Sequence, residues 1–142
     1  MVDVGSKEKT ERIAVARGRI QLSAQSLERI REGKVEKGDV LAAARLAGIM
    51  ATKRTPDLIP LCHPIGLSGA EVQLELGEGA VEVTATVRTV DRTGVEMEAL
   101  TAVMAATLTI YDMLKSQDRG MRIGEVRLTH KSGGKSGTFE QD

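Results

Sequence analysis

The sequence predicts an α+β fold in which helices cover one face of an antiparallel sheet. Two neighbouring segments alternate apolar and polar residues on either side of a glycine-containing turn, which is typical of a hairpin with one covered face. A long segment with helical spacing of its apolar residues follows, and a further alternating segment lies towards each end of the chain. The chain has 142 residues, so we expect a single domain over residues 1–142.

The first third of the chain is predicted to contain a strand and two helices. Residues 11–22 alternate small or apolar residues with others, as a strand does. Ser23 is a suitable N-cap for a short helix that Gly33 would end, and Asp39 is a suitable N-cap for a second helix that ends near Lys53. A basic residue suits the negative end of a helix, which is the simplest explanation for Lys53.

Three prolines, Pro56, Pro60 and Pro64, follow the second helix, and we expect this segment not to be helical. His63 lies between two of them, so its imidazole is held in a set position and can exchange a proton near neutral pH. A packed or exposed structural histidine is the commoner alternative. The neighbouring Cys62 has no partners for a zinc site and no identified base, which favours a buried structural cysteine over a nucleophile.

The hairpin is predicted over residues 71–87 and the long helix over about residues 95–117. Thr93 and Glu96 have the spacing of a capping box at the start of that helix, so closing the cap is one role for Glu96.

A last strand is predicted at about residues 121–131, followed by a Gly- and Lys-rich segment that we expect to be flexible from about residue 131. The order β-α-α-β-β-α-β is that of a ferredoxin-like fold with one extra helix. The final segment lacks the pattern of a phosphate-binding loop, because Thr129 stands where the first glycine belongs and too few residues follow Gly137 for a helix. Its two lysines and accessible amides still suit closure over an anion, although a disordered tail is an equal alternative.

The composition excludes several classes of function. The 20 basic and 20 acidic residues cancel, so no overall field attracts nucleic acid or an anionic membrane. Tyr111 and Phe139 are the only aromatic residues, which leaves no stacking platform for bases. The single cysteine fits a reducing compartment, and we recognise neither a signal peptide nor an apolar stretch of roughly twenty residues. We therefore expect a cytoplasmic protein that acts on a small molecule.

The long helix carries the most informative spacing. Glu98, Ala105 and Asp112 recur every seven residues and share a face with other small residues, and Lys115 adjoins Asp112. An ordinary exposed ion pair is the simplest interpretation of Asp112 and Lys115. Glu98 and Asp112 are separated by roughly 21 Å along the helix, too far for both to touch one small substrate. If both act at one site, that site must lie between two subunits.

Five stretches of the sequence carry a resemblance to a known family. They are residues 37–40, 58–64, 93–102, 108–113 and 131–137. These stretches resemble the MoaC family of molybdenum cofactor biosynthesis, the cyclic pyranopterin monophosphate synthases, and the resemblance extends over essentially the whole chain.

The resemblance implies a specific reaction. Such enzymes are lyases that convert (8S)-3′,8-cyclo-7,8-dihydroguanosine 5′-triphosphate, the product of a preceding radical enzyme, to cyclic pyranopterin monophosphate and release pyrophosphate. The resemblance also implies a homohexamer, a trimer of dimers, with active sites between subunits. It implies no cofactor. A magnesium ion on the triphosphate would be consistent with it, but the sequence shows no dedicated cage of carboxylates.

The resemblance also implies the site residues. Asp112 should be the catalytic acid or base, with Lys115 beside it and Lys37 as a third catalytic residue. Two short motifs should contact the substrate: Leu61, Cys62 and His63, and Glu96, Met97 and Glu98. Lysines stabilise the charge on departing pyrophosphate, so we assign Lys37, Lys131 and Lys135 to the phosphates or to stabilising the leaving group, with Arg12 and Lys53 as lesser candidates.

Two other functions remain open from the sequence. One is a nucleotide hydrolase that releases pyrophosphate from GTP itself. The other is a non-catalytic nucleotide-binding module of ferredoxin-like fold, because a fold does not determine a function.

Overall fold

The computed structural model describes residues 1–142 and confirms the predicted ferredoxin-like α+β class. All pairs in its five-stranded sheet are antiparallel, in the order β2-β3-β1-β4-β5. The elements are β1 (Thr10–Gln21), α1 (Ala24–Glu32), α2 (Val40–Thr52), α3 (Thr55–Leu58), β2 (Leu67–Leu76), β3 (Ala80–Asp91), α4 (Glu96–Leu114), β4 (Arg122–Ser132) and β5 (Phe139–Glu140).

The central strand β1 explains how closely the long helix packs. Three of its four buried residues are small: Ala14, Ala16 and Gly18. A Cβ atom at Gly18 would come within 2.6 Å of Val103 in α4. Glycine at this position therefore lets α4 approach the sheet closely. It thereby sets the distance between the sheet and the helix that carries Glu98.

Helices α2 and α4 cover the inner face of the sheet. The inward residues of α4 join those of the sheet in one apolar core. By length and composition α4 is the one helix that would suffice to cross a membrane, with a mean hydropathy of 1.3 in its 18-residue window. Of that window 44% is buried inside the protein, where α4 packs on the sheet.

Two local expectations are wrong. The proline-containing segment includes a helix of four residues, α3, because Pro56 occupies the first turn, where no backbone N–H is needed. The expected capping box at α4 is not formed either. The N-cap of α4 is Val95, which makes no side-chain capping bond, and the carboxylate of Glu96 binds Lys131 instead.

The C-terminal segment folds back along the sheet. Strand β4 continues to Ser132, and β5 pairs with it through His130↔Glu140 and Lys131↔Phe139. Between these strands, Gly133 and Gly134 have φ angles of 94° and 76°, in the region that favours glycine. These glycines turn the chain across the start of β1 and bring Lys135 towards Arg12.

Candidate active site at the two ends of the long helix

The C-terminal end of α4 carries a carboxylate between two ammonium groups. Asp112 Oδ1 lies 2.8 Å from Lys115 Nζ. Asp112 Oδ2 lies 2.8 Å from Lys37 Nζ, which also donates to the Asp112 backbone carbonyl at 3.2 Å. About half of each side chain is exposed. The three residues predicted to be catalytic therefore meet in one cluster of a single chain.

These contacts determine the ionisation of the cluster. Hydrogen bonds from Lys115 and Lys37 lower the pKa of Asp112 to about 2. In turn, the Asp112 carboxylate raises the pKa of Lys115. At neutral pH, Asp112 is therefore an anion and Lys115 is a cation.

The loop between α1 and α2 positions Lys37. Gly38 has a φ angle of 111°, and its N–H donates to the Val35 carbonyl at 3.0 Å. Val35 is buried in the core. On the other side of Lys37, the Asp39 side chain caps α2. Lys37 is thus held between a core anchor and a capped helix, and its ammonium group binds Asp112.

The other end of α4 carries a buried carboxylate. Glu98 is 1% exposed. Its Oε1 lies 3.7 Å from the Cys62 sulfur, and its Oε2 has no hydrogen-bond partner within the chain. Burial is the main reason that the pKa of Glu98 is raised. Burial also raises the pKa of Cys62, with a further contribution from Glu98, so this thiol stays protonated and is not the thiolate that a nucleophile requires.

The loop that contains Cys62 also carries His63 and Leu61. His63 Nε2 lies 2.7 Å from the backbone carbonyl oxygen of Val2, so the N-terminal residues lie against this loop. Leu61 is exposed, and Met97, on the first turn of α4, is partly exposed. The two predicted substrate-binding motifs therefore meet through Cys62 and Glu98, whereas Leu61 makes no polar contact in this chain.

Glu96 and Lys131 form a separate ion pair near the same end of α4. Glu96 Oε1 lies 3.1 Å from Lys131 Nζ, and both side chains are largely buried, with exposed fractions of 29% and 20%. Lys131 also donates to the Ser136 hydroxyl at 2.7 Å. Lys131 therefore joins the first turn of α4 to the glycine-rich segment.

A polar cavity of about 610 Å³ lies beside this ion pair. Arg12 and Lys135 line it, together with Lys7, which the sequence analysis did not single out. Arg12 is fixed by donating to the backbone carbonyls of Asp91 and Arg92 at 3.3 and 3.1 Å. Three cationic residues and one acidic residue, Glu8, thus line a cavity whose walls contain no hydrophobic residue. The excess of positive charge is suited to an anionic group.

Lys53 lies apart from both ends of the candidate site. It lines a different cavity, of about 350 Å³, with Leu67 of β2 and with Ile65, which precedes that strand. Within one chain the structure therefore does not bring Lys53 to the other candidate residues. The chain contains no cluster of three or more His, Cys, Asp or Glu side chains that could hold a metal ion.

Comparisons with known proteins agree on one family. A family model described as the MoaC family matches residues 1–134. A cyclic pyranopterin monophosphate synthase of Roseiflexus sp. (strain RS-1) is 58% identical over an alignment of 144 positions, which covers 100% of this chain and 91% of that protein. Enzymes with the same name are 57% identical in Thermomicrobium roseum, over 100% of this chain and 87% of that protein, and 59% identical in Pelotomaculum thermopropionicum, over 99% and 84%.

Proposed function

The chain belongs to the MoaC family, and we propose that it is a lyase that makes cyclic pyranopterin monophosphate. Its substrate is (8S)-3′,8-cyclo-7,8-dihydroguanosine 5′-triphosphate, and its second product is pyrophosphate. The reaction belongs to molybdenum cofactor biosynthesis, and we place the enzyme in the cytoplasm. The observation that carries the proposal is the Asp112 cluster, in which an anion and two cations meet at a distance of 2.8 Å.

Opposite shifts in the pKa values of two carboxylates support an assignment of proton-transfer roles. Asp112 stays ionised because Lys115 and Lys37 bind it, so it acts as a base or an anionic positioning group. Glu98 is buried and favours its protonated form, so it acts as a proton donor. Carboxylates whose surroundings move their pKa values apart are the usual basis for such an acid and base pair. Rearrangement of the guanine-derived ring requires one group that donates a proton and another that accepts one.

The cationic cavity supports binding of the triphosphate. Arg12, Lys135 and Lys7 line it, and Lys131 lies beside it in a pair with Glu96. Departure of pyrophosphate moves negative charge onto the leaving oxygens, and fixed cations stabilise that charge. We assign the two distal phosphates to this cavity and the ring to the neighbourhood of Glu98 and His63.

The separation of the two ends of α4 supports a site shared by two chains. Glu98 and Asp112 are fourteen residues apart, roughly 21 Å along the helix. Ala105 lies midway between them on a face that also exposes Met104 and Leu108. An antiparallel contact between this face and its copy would place Asp112 of one chain near Glu98 of the other, and we propose this arrangement within the homohexamer.

A substrate-comparison experiment tests the proposed reaction. The purified protein is given the cyclic nucleotide made in situ from GTP by the radical enzyme, and separately GTP alone. We expect pyranopterin product and pyrophosphate in equal amounts from the first and neither from the second. Pyrophosphate from GTP alone would identify a hydrolase, and binding of the cyclic nucleotide without turnover would identify a ligand-binding module.

A further inference from the structure

The chain that follows α4 is joined to the first turn of α1 by a single carboxylate. Asp118 Oδ2 accepts a hydrogen bond from the Ser23 backbone N–H at 2.8 Å and another from the Ser26 hydroxyl at 2.9 Å. Ser23 is the N-cap of α1, and Ser26 is buried. These bonds, that from the Ser23 N–H most of all, lower the pKa of Asp118, so the group remains an anion where the positive end of a helix favours one.

The last turn of α4 itself holds the loop that follows α1 at a second point. Beyond the C-terminal end of α1, Lys37 binds both the side chain and the backbone carbonyl of Asp112. Helix α1 is only nine residues long, and between the two attachments it contributes Leu27 to the core. Asp118 and Asp112 therefore fasten the two ends of one short element, α1 with its following loop, to the end of α4.

We infer that Asp118 is a positioning residue for the reaction, because it fixes α1 and thereby holds the Lys37 ammonium group on Asp112. The inference rests on the proposed catalytic role of the Asp112 cluster. Lys37 has a long side chain on a loop, and its ammonium group can keep a 2.8 Å contact only if that loop is fixed relative to α4. Gly38 and the Val35 anchor restrict the loop itself. The packing of α2 on α4 restricts the end of the loop that follows Lys37, and the attachment of α1 through Asp118 restricts the end that precedes it.

Asp118 is also separate from the reacting groups. Its carboxylate makes its hydrogen bonds with Ser23 and Ser26 and has no contact with Lys37 or Lys115. A change at Asp118 can reach the cluster through α1 or through the turn that joins Asp118 to Lys115, and an effect that disappears in a Lys37→Ala background identifies the route through α1. Misplacement of a catalytic group by about 1 Å can cost up to a hundredfold in rate, so we expect Asp118→Ala to lower kcat about tenfold and to leave KM within about twofold.

A direct readout separates positioning from a loss of stability. Lys37 is one of the two groups that keep Asp112 ionised. If Asp118→Ala loosens Lys37, the ¹³C signal of the Asp112 carboxyl group should show partial protonation at pH 3, where the wild-type residue is still mostly ionised. Added to a Lys37→Ala background, the Asp118 change should have no further effect on this signal, because the two residues act through one contact. This measurement needs no turnover, so it remains informative even if the proposed reaction is wrong.

A control variant and a milder substitution test whether the effect is specific to Asp118. Glu28→Gln removes an exposed carboxylate of α1 that pairs only with Arg31, and it should change neither kcat nor the Asp112 signal. If Asp118→Ala fails to fold, Asp118→Asn replaces it, because the amide oxygen still accepts the Ser23 N–H, and a smaller change of the same sign is expected. A wild-type Asp112 signal and wild-type kcat in a folded Asp118 variant would overturn the inference, as would equal effects of the Asp118 change with and without Lys37.

Discussion

The pKa of Asp112 is lowered because its neighbours are cations, whereas the pKa of Glu98 is raised because the side chain is buried away from water. Both belong to α4, and their spacing by a multiple of seven residues predicts that they lie on one face of this helix. The hydrogen bonds to Lys115 and Lys37 set the ionisation of Asp112, and burial sets that of Glu98. Assignment of a base and an acid therefore needed the three-dimensional contacts of each residue.

The first residue-scale prediction concerns the proposed base. Asp112→Asn removes the group that accepts a proton, and we expect kcat to fall by about 10²- to 10⁴-fold. The side chain is 53% exposed, so the variant should fold normally. Because the pKa of Asp112 is lowered to about 2, Asp112 should stay ionised in the resting enzyme from pH 4 to 8, and its titration should not limit wild-type activity in that range.

Pyrophosphate release and the melting temperature check this prediction. Glu28→Gln is the matched control, because Glu28 is also 53% exposed and also pairs with a cation, Arg31, at 2.7 Å. It should keep full activity. Near-normal turnover by Asp112→Asn would remove Asp112 from the mechanism.

The second residue-scale prediction concerns the buried carboxylate. Because the folded state raises the pKa of Glu98, its stabilising contribution is complete below the unfolded-state pKa, about 4.3. That contribution is lost as the pH rises through the folded-state pKa. Glu98→Gln keeps the shape without the charge, so the variant should melt about 2–4 °C higher than the wild type at pH 8. The difference should disappear near pH 4.

Thermal unfolding measured at several pH values tests the prediction for Glu98. The Glu28→Gln control should show no such pH-dependent difference, since its carboxylate is exposed. A Glu98→Gln variant that is less stable than the wild type at pH 8 would show that the ionised form is stabilised in the folded protein.

At the scale of elements, local patterns predicted α1, α2, α4 and the main strands, because periodicity and caps are properties of neighbouring residues. Contacts between distant residues were not predictable in this way. Glu96 matched a capping box, but in the fold Lys131 lies 3.1 Å away and binds it. Lys7 belongs to no recognisable motif, and only the folding of residues 133–136 beside β1 places it in a cavity with Arg12. The pairing of Lys37 with Asp112 likewise joins residues 75 positions apart.

The glycine-rich segment provides an element-scale prediction. Gly134 has a φ angle of 76°, and a Cβ atom there would clash with the Arg12 guanidinium group. Gly134→Ala should therefore displace Arg12 from the cavity and raise KM about tenfold, which corresponds to about 1.4 kcal/mol of binding free energy. Steady-state kinetics with the cyclic nucleotide measure this change.

Gly137→Ala is the control for backbone strain in this segment. Gly137 has a similar φ angle of 70°, but a Cβ atom there meets nothing within 4 Å. Its replacement carries the same conformational cost, about 1–2 kcal/mol, without the contact to Arg12. Equal KM values for the two variants would show that Arg12 does not bind the substrate.

At the scale of the whole molecule, the distribution of charge matters more than its sum. The formal net charge is zero, so attraction of an anionic substrate must come from local clusters. Two such clusters exist in one chain, the cavity lined by Arg12 and Lys135 and the pair of lysines on Asp112. They adjoin opposite ends of α4, and one small substrate can use both only if a second chain supplies one of them.

A complementation experiment tests this sharing of the site between chains. Asp112→Asn and Glu98→Gln each disable a different end of α4, so each variant alone should be inactive in every subunit pair. In a pair that contains one chain of each kind, one site combines the intact Asp112 end of one chain with the intact Glu98 end of the other. Random assembly of equal amounts, by joint refolding or co-expression, should therefore restore about a quarter of the wild-type activity in a twofold-symmetric pair. Mixing Asp112→Asn with Lys115→Ala, which disable the same end, should restore none. Equal recovery in both mixtures, or in neither, would mean that Glu98 and Asp112 do not act together across a subunit interface.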